Sequence, residues 1–290
     1  MTSLPPPSTP PSPALPVDSL PEALLRARYG DAAPARPLPG GALVESLLAH
    51  RTVRAFSAEP LPTGTLQTLV AAAQSAPTSS NLQAWSVIAV EEPARRARLS
   101  ALAADQAHVR DCPLLLVWIA DLSRLDRLGE RAGVPADANR FLEMFVVAVV
   151  DAALAAQNAL VAAEAMGLGT CYIGAMRNHP EAVATELGLP PDAFAVFGLC
   201  VGWPDRSRPP AEVKPRLPQP AVLHHERWSA AAEADAVARY EPAMRAFQAS
   251  QRMKAVGWTE PATARVRGPD SLSGRHRLRE SLAALGFVLE

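Results

Sequence analysis

Residues 141–169 read FLEMFVVAVVDAALAAQNALVAAEAMGLG. By length and composition the stretch is long and apolar enough to cross a bilayer. Asp151, Gln157, Asn158 and Glu164 interrupt it. In lipid each of these would cost several kcal/mol. Inside a protein each can be given a hydrogen-bond partner. The stretch therefore reads as one long helix, 141–166, buried in protein and stopped at Gly167 and Gly169. A helix that is apolar on nearly every side needs cover all round, and a second copy of the chain is one way to supply it.

Working outward, short continuous apolar runs mark buried strands. These are SVIAVEE (86–92), PLLLVWIA (113–120), TCYIG (170–174) and AVFGLCVGWP (195–204). Helices are expected over ALVESLLAH toward Arg51, over the Leu66, Leu69, Val70, Ala73 repeat with Thr63 as N-cap, over 94–107, and over 179–190 with Pro180 in its first turn. Residues 121–140 are charged and read as a loop, and the tail from about 226 is helical in patches. Few, widely spaced strands among many helices point to an α+β fold, a mixed sheet wrapped by helices. No GxGxxG follows a strand and no Walker A sequence is present.

Residues 1–40 hold 11 of the 29 prolines and read as a mobile leader, with a short helix near Pro21–Tyr29; the folded unit is expected to be 41–290. The net charge of -1 gives no general attraction to nucleic acid or to an anionic membrane. MTSLPPPSTP lacks the pattern of a signal peptide. Cys112, Cys171 and Cys200 are scattered among apolar residues, which suits buried thiols in a reducing, cytoplasmic setting. His224-His225 has no second His or Cys pair at ligand spacing, so no metal site is expected.

Against that neutral background, HRTVRAF (50–56) carries His50, Arg51 and Arg54 around the Thr52 hydroxyl. In a helix or tight turn both arginines face one way, a geometry that grips a phosphate. The same residues also suit a solvated helix end. A second basic triplet stands at Lys214-Pro215-Arg216. APTSSNLQAW (76–85) offers three hydroxyls and two amides, suited either to the donor–acceptor edge of a flavin ring or to turn formation. Tyr172-Ile173-Gly174-Ala175 ends a strand on small residues, which lets a ring lie against backbone or simply makes a tight turn.

Together HRTVRAF, APTSSNLQAW, VDAALAAQNALVAAEAMGLGTCYIGAMRN and VFGLCVGWP…KPRLP resemble the nitroreductase superfamily. The likeness is to its NADPH-dependent, FMN-containing branch of oxygen-insensitive nitroreductases and flavin reductases, and it runs from about Ala42 to Trp228. The resemblance implies an intertwined homodimer with two FMN sites at its interface. It also implies an NAD(P)H oxidoreductase that reduces nitroaromatics, quinones or free flavins by ping-pong hydride transfer. It assigns His50, Arg51, Thr52, Val53 and Arg54, with Lys214, Pro215 and Arg216, to the FMN phosphate, ribityl chain and pyrimidine edge. Thr78, Asn81 and Gln83 fall on positions that line the isoalloxazine, as does Gln106 of DQAHV. Tyr172, Ile173, Gly174 and Ala175 match the segment beside the reactive face. Thr52 stands where serine is common, and Ala175 where glycine often does. Where that branch carries an arginine-rich loop for the nicotinamide phosphate, this chain has QRMKAVGW (251–258). Arg252 and Lys254 are the candidate grip, with NADPH or NADH as donor. Other chemistry on the same fold, dehalogenation or flavin fragmentation, and a non-catalytic phosphate-ligand protein are the alternatives.

Overall fold

The computed structural model describes residues 19–35 and 37–290. Its helices are α1 (Glu22–Tyr29), α2 (Ala42–Ala49), α3 (Thr65–Gln74), α4 (Pro93–Leu102), α5 (Ala107–Asp111), α6 (Ser123–Ala132), α7 (Leu142–Ala165), α8 (Pro180–Leu187), α9 (Glu233–Ser250), α10 (Thr259–Arg265) and α11 (Leu278–Ala284). Its strands are β1 (Trp85–Val90), β2 (Leu114–Asp121), β3 (Gly169–Ile173) and β4 (Ala193–Gly202). They form one sheet in the order β1-β2-β4-β3. Every strand pair is antiparallel. The parallel element expected of a mixed sheet is a single bridge, Thr52 to Thr170, outside the strands proper.

The sheet is buried on both faces, which is why its strands read as unbroken apolar runs rather than alternating ones. All eight residues of β2 are buried. One face packs α4, α5 and α8 side chains such as Leu99, Val109 and Val183 against Leu115, Val117 and Ile119. The other receives α3 and α7 through Leu69, Ala155, Ala159 and Leu160, against Leu116 and Trp118. Alanines along α7 let the helix lie close to the strands. The C-terminal segment shares this core: Phe287 stacks edge-on to Phe145 of α7 with centroids 5.2 Å apart.

Asp151, Gln157, Asn158 and Glu164 of α7 all have partners. Asp151 accepts from the Thr78 hydroxyl at 2.6 Å, from the Ala84 amide at 3.1 Å and from the Ser79 amide at 3.3 Å. Asn158 donates to Ala72 O, Gln157 accepts from the Tyr172 hydroxyl, and Glu164 meets His50 and Thr170.

Several expectations are corrected. Residues 121–140 hold the helix α6, capped by left-handed Gly133; their charges occupy its solvent face while Leu122 and Leu125 turn inward. The helix expected over 94–107 breaks at left-handed Ala104 and Asp105, leaving Gln106 as the N-cap of α5. Gly64, not Thr63, caps α3. From residue 19 onward the proline-rich leader belongs to the fold: Leu20 and Leu25 are buried, and α1 carries a buried arginine, Arg28. The expectation for residues 1–18 lies outside the described residues.

Candidate functional site

α2 ends at Ala49, so HRTVRAF is not helical. It runs extended along the outer edge of β3, with the Val53 amide donating to Thr170 O at 2.8 Å. In extended chain successive side chains alternate. Val53 turns inward and is buried beneath Gly169, where a Cβ would come within 2.7 Å of its side chain. Thr52 and Arg54 therefore share the opposite face. The His50 ring is held by Glu164 at 2.7 Å.

Arg51, Thr52 and Arg54 line a cleft of about 480 Å³, and Lys214 lines the same cleft from a distant part of the chain. That volume lies in the range of small-molecule sites. Gln251 and Met253 form part of the wall, which brings the segment holding Arg252 and Lys254 to the rim. Both of these side chains are exposed, and Lys254 lies 3.8 Å from Glu260. Burial lowers the Lys214 pKa, and the charges of Arg54 and Arg216 lower it further. The two basic segments therefore repel each other across this end of the molecule. Among the described residues, Arg51, Arg54, Lys214 and Arg216 have no carboxylate within 4 Å, although the chain's other cations form many ion pairs. Arg216 stands beside the cleft rather than in its lining, with its guanidinium against the carbonyls of Lys214 and Pro215. Pro215 is buried, and its carbonyl accepts from Tyr240 at 2.9 Å.

Arg54 also acts electrostatically on His108 of α5 and on Cys171 of β3. This ties the α5 entrance, with Gln106, and the Tyr172–Ala175 segment to the same neighbourhood. Burial, then Arg54, lowers the His108 pKa. Its Nε2 is buried without a hydrogen-bond partner. Burial raises the Tyr172 pKa above the ordinary phenol range. The Ile173 side chain is in the core, so only its backbone faces the site; Ala175 is likewise buried. A Cβ at Gly174 would meet only the tip of Arg177, at 3.4 Å, so protein packing alone does not demand glycine there. The thiols are inert: burial raises Cys171, while a hydrogen bond to Cys112, then burial, raises Cys200.

Thr78, Asn81 and Gln83 lie elsewhere. The Thr78 hydroxyl is committed to Asp151, whereas His50 is tied to Glu164. Those two anchors stand about 20 Å apart along α7. The loop feeds β1 at one sheet edge, while HRTVRAF flanks β3 at the other, roughly 14 Å across. Ser80, Asn81 and Gln83 all have positive φ, between 48° and 55°. Such strain in non-glycine residues concentrates at functional loops. Asn81 and Gln83 are exposed.

Comparison with known proteins decides the family. The model of the nitroreductase family matches residues 47–203, and that of the nitroreductase family C-terminal domain matches residues 214–290. The chain belongs to the nitroreductase family. Among its nitroreductase relatives, a Bacillus subtilis protein described as FMN reductase (NADPH) is 43% identical over 165 residues, 57% of this chain and 65% of that protein. The NADPH-flavin oxidoreductase of Vibrio harveyi is 36% identical over 204 residues, 70% of this chain and 81% of that one. The chain thus spans just under two thirds of the first relative's length and four fifths of the second's. The solved structure of B. megaterium NfrA2 superposes with a TM-score of 0.80 at 30% identity, covering 87% of this chain and 100% of that one.

Sequence reading missed three residues that anchor these candidate segments. Arg28 fell in the presumed leader. Asp151 and Glu164 were visible only as polar breaks in an apolar helix, and that was the available signal.

Proposed function

We propose that this chain is an FMN-dependent NAD(P)H oxidoreductase of the nitroreductase and flavin-reductase type. The observation that carries the reading is a cleft lined by Arg51, Arg54 and Lys214, with Arg216 beside it, in which Asp205 and Glu212 share the lining but, among the described residues, none of the four cations makes an ion pair. Unpaired cations held together cost free energy that a bound phosphate returns. Three further features fit a flavin mononucleotide: the unpartnered His108 Nε2, the open approach at Gly174, and the strained amide loop at 80–83. The relatives' descriptions name FMN and NADPH.

Arg51, Arg54, Lys214 and Arg216 would hold the phosphate and ribityl chain, with the Thr52 hydroxyl among them. Gln106 and the backbone of Tyr172–Ala175 would lie along the ring. FMN, when bound, supplies the redox chemistry between nicotinamide and acceptor. The protein's part is to bind, orient and offset negative charge with preorganised cations. Nitroaromatics, quinones or free flavins are the acceptors, taken in turn with the nicotinamide at one open face. Arg252 and Lys254, at the rim, meet the nicotinamide's phosphate. Residues 41–290 act as the cofactor-binding unit, with a helical extension from about 226. The free, buried thiols favour the cytoplasm.

The working unit is a homodimer. Leu142, Val146, Val150 and Leu154 form an exposed stripe along α7, and Leu43, Val44 and Leu47 add to it from α2. The four-residue spacing puts the α7 residues on one face. The separation of Asn81 and Gln83 from the cationic cleft supports a site completed by the partner's 78–83 loop.

The test is spectroscopic. The purified chain, supplied with FMN, should carry flavin absorbance that NADPH or NADH bleaches without oxygen and a quinone or nitroaromatic restores. A chain that takes up no FMN contradicts the reading.

A further inference from the structure

Arg28 makes three side-chain hydrogen bonds to distant backbone, and the FMN reading gives it no task. It is 5% exposed, and among the described residues it makes no ion pair, although the Glu164 charge acts on it. Its Nη1 donates to Lys214 O at 2.8 Å. Its Nη2 donates to Leu48 O at 2.6 Å and to His50 O at 2.9 Å. The Arg28 carbonyl in turn accepts from the Arg216 amide at 2.8 Å. One residue is thereby stitched to both basic segments, at the carbonyls just before Arg51 and Pro215. Burial lowers its pKa, and Arg216 lowers it further.

The helix that carries it is anchored independently. Leu25 is buried, and the Leu20 amide donates to Leu38 O at 2.8 Å. Gly30, with φ +58°, turns the chain against α9, where a Cβ would meet Ala243 at 3.3 Å. This brace precedes residue 47, where the first family match begins. A solved relative is spanned whole by 87% of this chain. The brace lies outside both stretches that the family models match, 47–203 and 214–290.

We infer that Arg28 is a positioning residue: its guanidinium straps the His50–Arg54 segment to the Lys214–Arg216 segment and sets their separation for a phosphomonoester. The inference rests on the FMN reading. A planar fork of five donors satisfies three carbonyls on two segments, which neither an ammonium nor an apolar side chain reproduces. Holding like charges at fixed spacing removes ordering that the ligand would otherwise have to impose. FMN should leave slowly because of it, while riboflavin, which lacks the phosphate, should be indifferent.

The experiment measures dissociation rates of FMN and riboflavin from the full chain and from Arg28→Met and Arg28→Lys. We expect Arg28→Met to release FMN about tenfold faster or more, with riboflavin release unchanged. Arg28→Lys, which keeps charge and stem, should lie between and serves if Arg28→Met does not fold. Equal acceleration of both flavins, or no change for FMN, in either variant overturns the strap. A wild-type chain that binds no FMN overturns the cofactor reading, and the strap with it, and is recognised before any variant is made.

Discussion

Arg54 is exposed and lacks a carboxylate partner among the described residues, yet it perturbs His108, Cys171 and Lys214 from three different elements. It is the residue at which the site's electrostatics meet. His108 offers the cleanest pH signature. Burial, then Arg54, depresses its folded pKa below the ordinary value of about 6.5. It is therefore neutral in the fold near pH 7. As pH falls below about 6.5 the unfolded chain takes up a proton that the folded chain refuses, so stability declines with acidification. Denaturant midpoints measured from about pH 7 to 5 should fall more steeply for wild type than for His108→Gln. Parallel slopes would remove His108 from the account. At this scale the sequence exposed the chemistry of His50, Arg51 and Arg54 but not their geometry. The arginines share a cleft on extended chain rather than on a helix, because α2 stops at Ala49 and Thr52 pairs with Thr170.

Among the elements, α7 does most to organise the site. Asp151 pins the amide loop, and Glu164 pins the basic segment. Replacing Asp151 by alanine leaves the amide of Ala84 and the hydroxyl of Thr78 without their acceptor. Each unsatisfied buried group costs about 1–3 kcal/mol. Asp151→Ala should therefore lose about 2–4 kcal/mol of unfolding free energy in denaturant titrations, and Asn81 and Gln83 should relax from their left-handed backbone. A loss below about 0.5 kcal/mol, the level of an ordinary surface change, would show that the loop holds its shape without α7. The strands and α7 were legible because burial on both faces writes an unbroken apolar run. α6 was not, because half of its residues are charged and few of its side chains, Ser123 and Leu125 with the N-cap Leu122, turn inward. α1 was legible as a short helix near Pro21–Tyr29, but its fixation was not, since that depends on Arg28 and Leu25 finding partners far along the chain. Contacts of that range leave no local pattern.

At the scale of the whole molecule, the proposed homodimer completes each flavin site with the 78–83 loop of a second copy. Val150→Glu would put a charge in the middle of the α7 stripe, which is exposed in the single chain and would be covered in the proposed homodimer. Sedimentation should report a monomer, and FMN retention should fall by about tenfold or more with it, as an unpaired interfacial charge costs several kcal/mol. A monomer that still holds FMN as tightly would place the whole site in one chain. The central claim is narrower: two basic segments, separated by most of the chain, jointly hold a phosphate. Its most direct measurement is equilibrium titration of wild type and Arg54→Ala with FMN and with riboflavin at low and high salt. The account predicts that wild type prefers FMN strongly, that salt erodes the preference, and that Arg54→Ala weakens FMN by about 1–3 kcal/mol while leaving riboflavin unchanged. Equal affinity of wild type for the two flavins would contradict it.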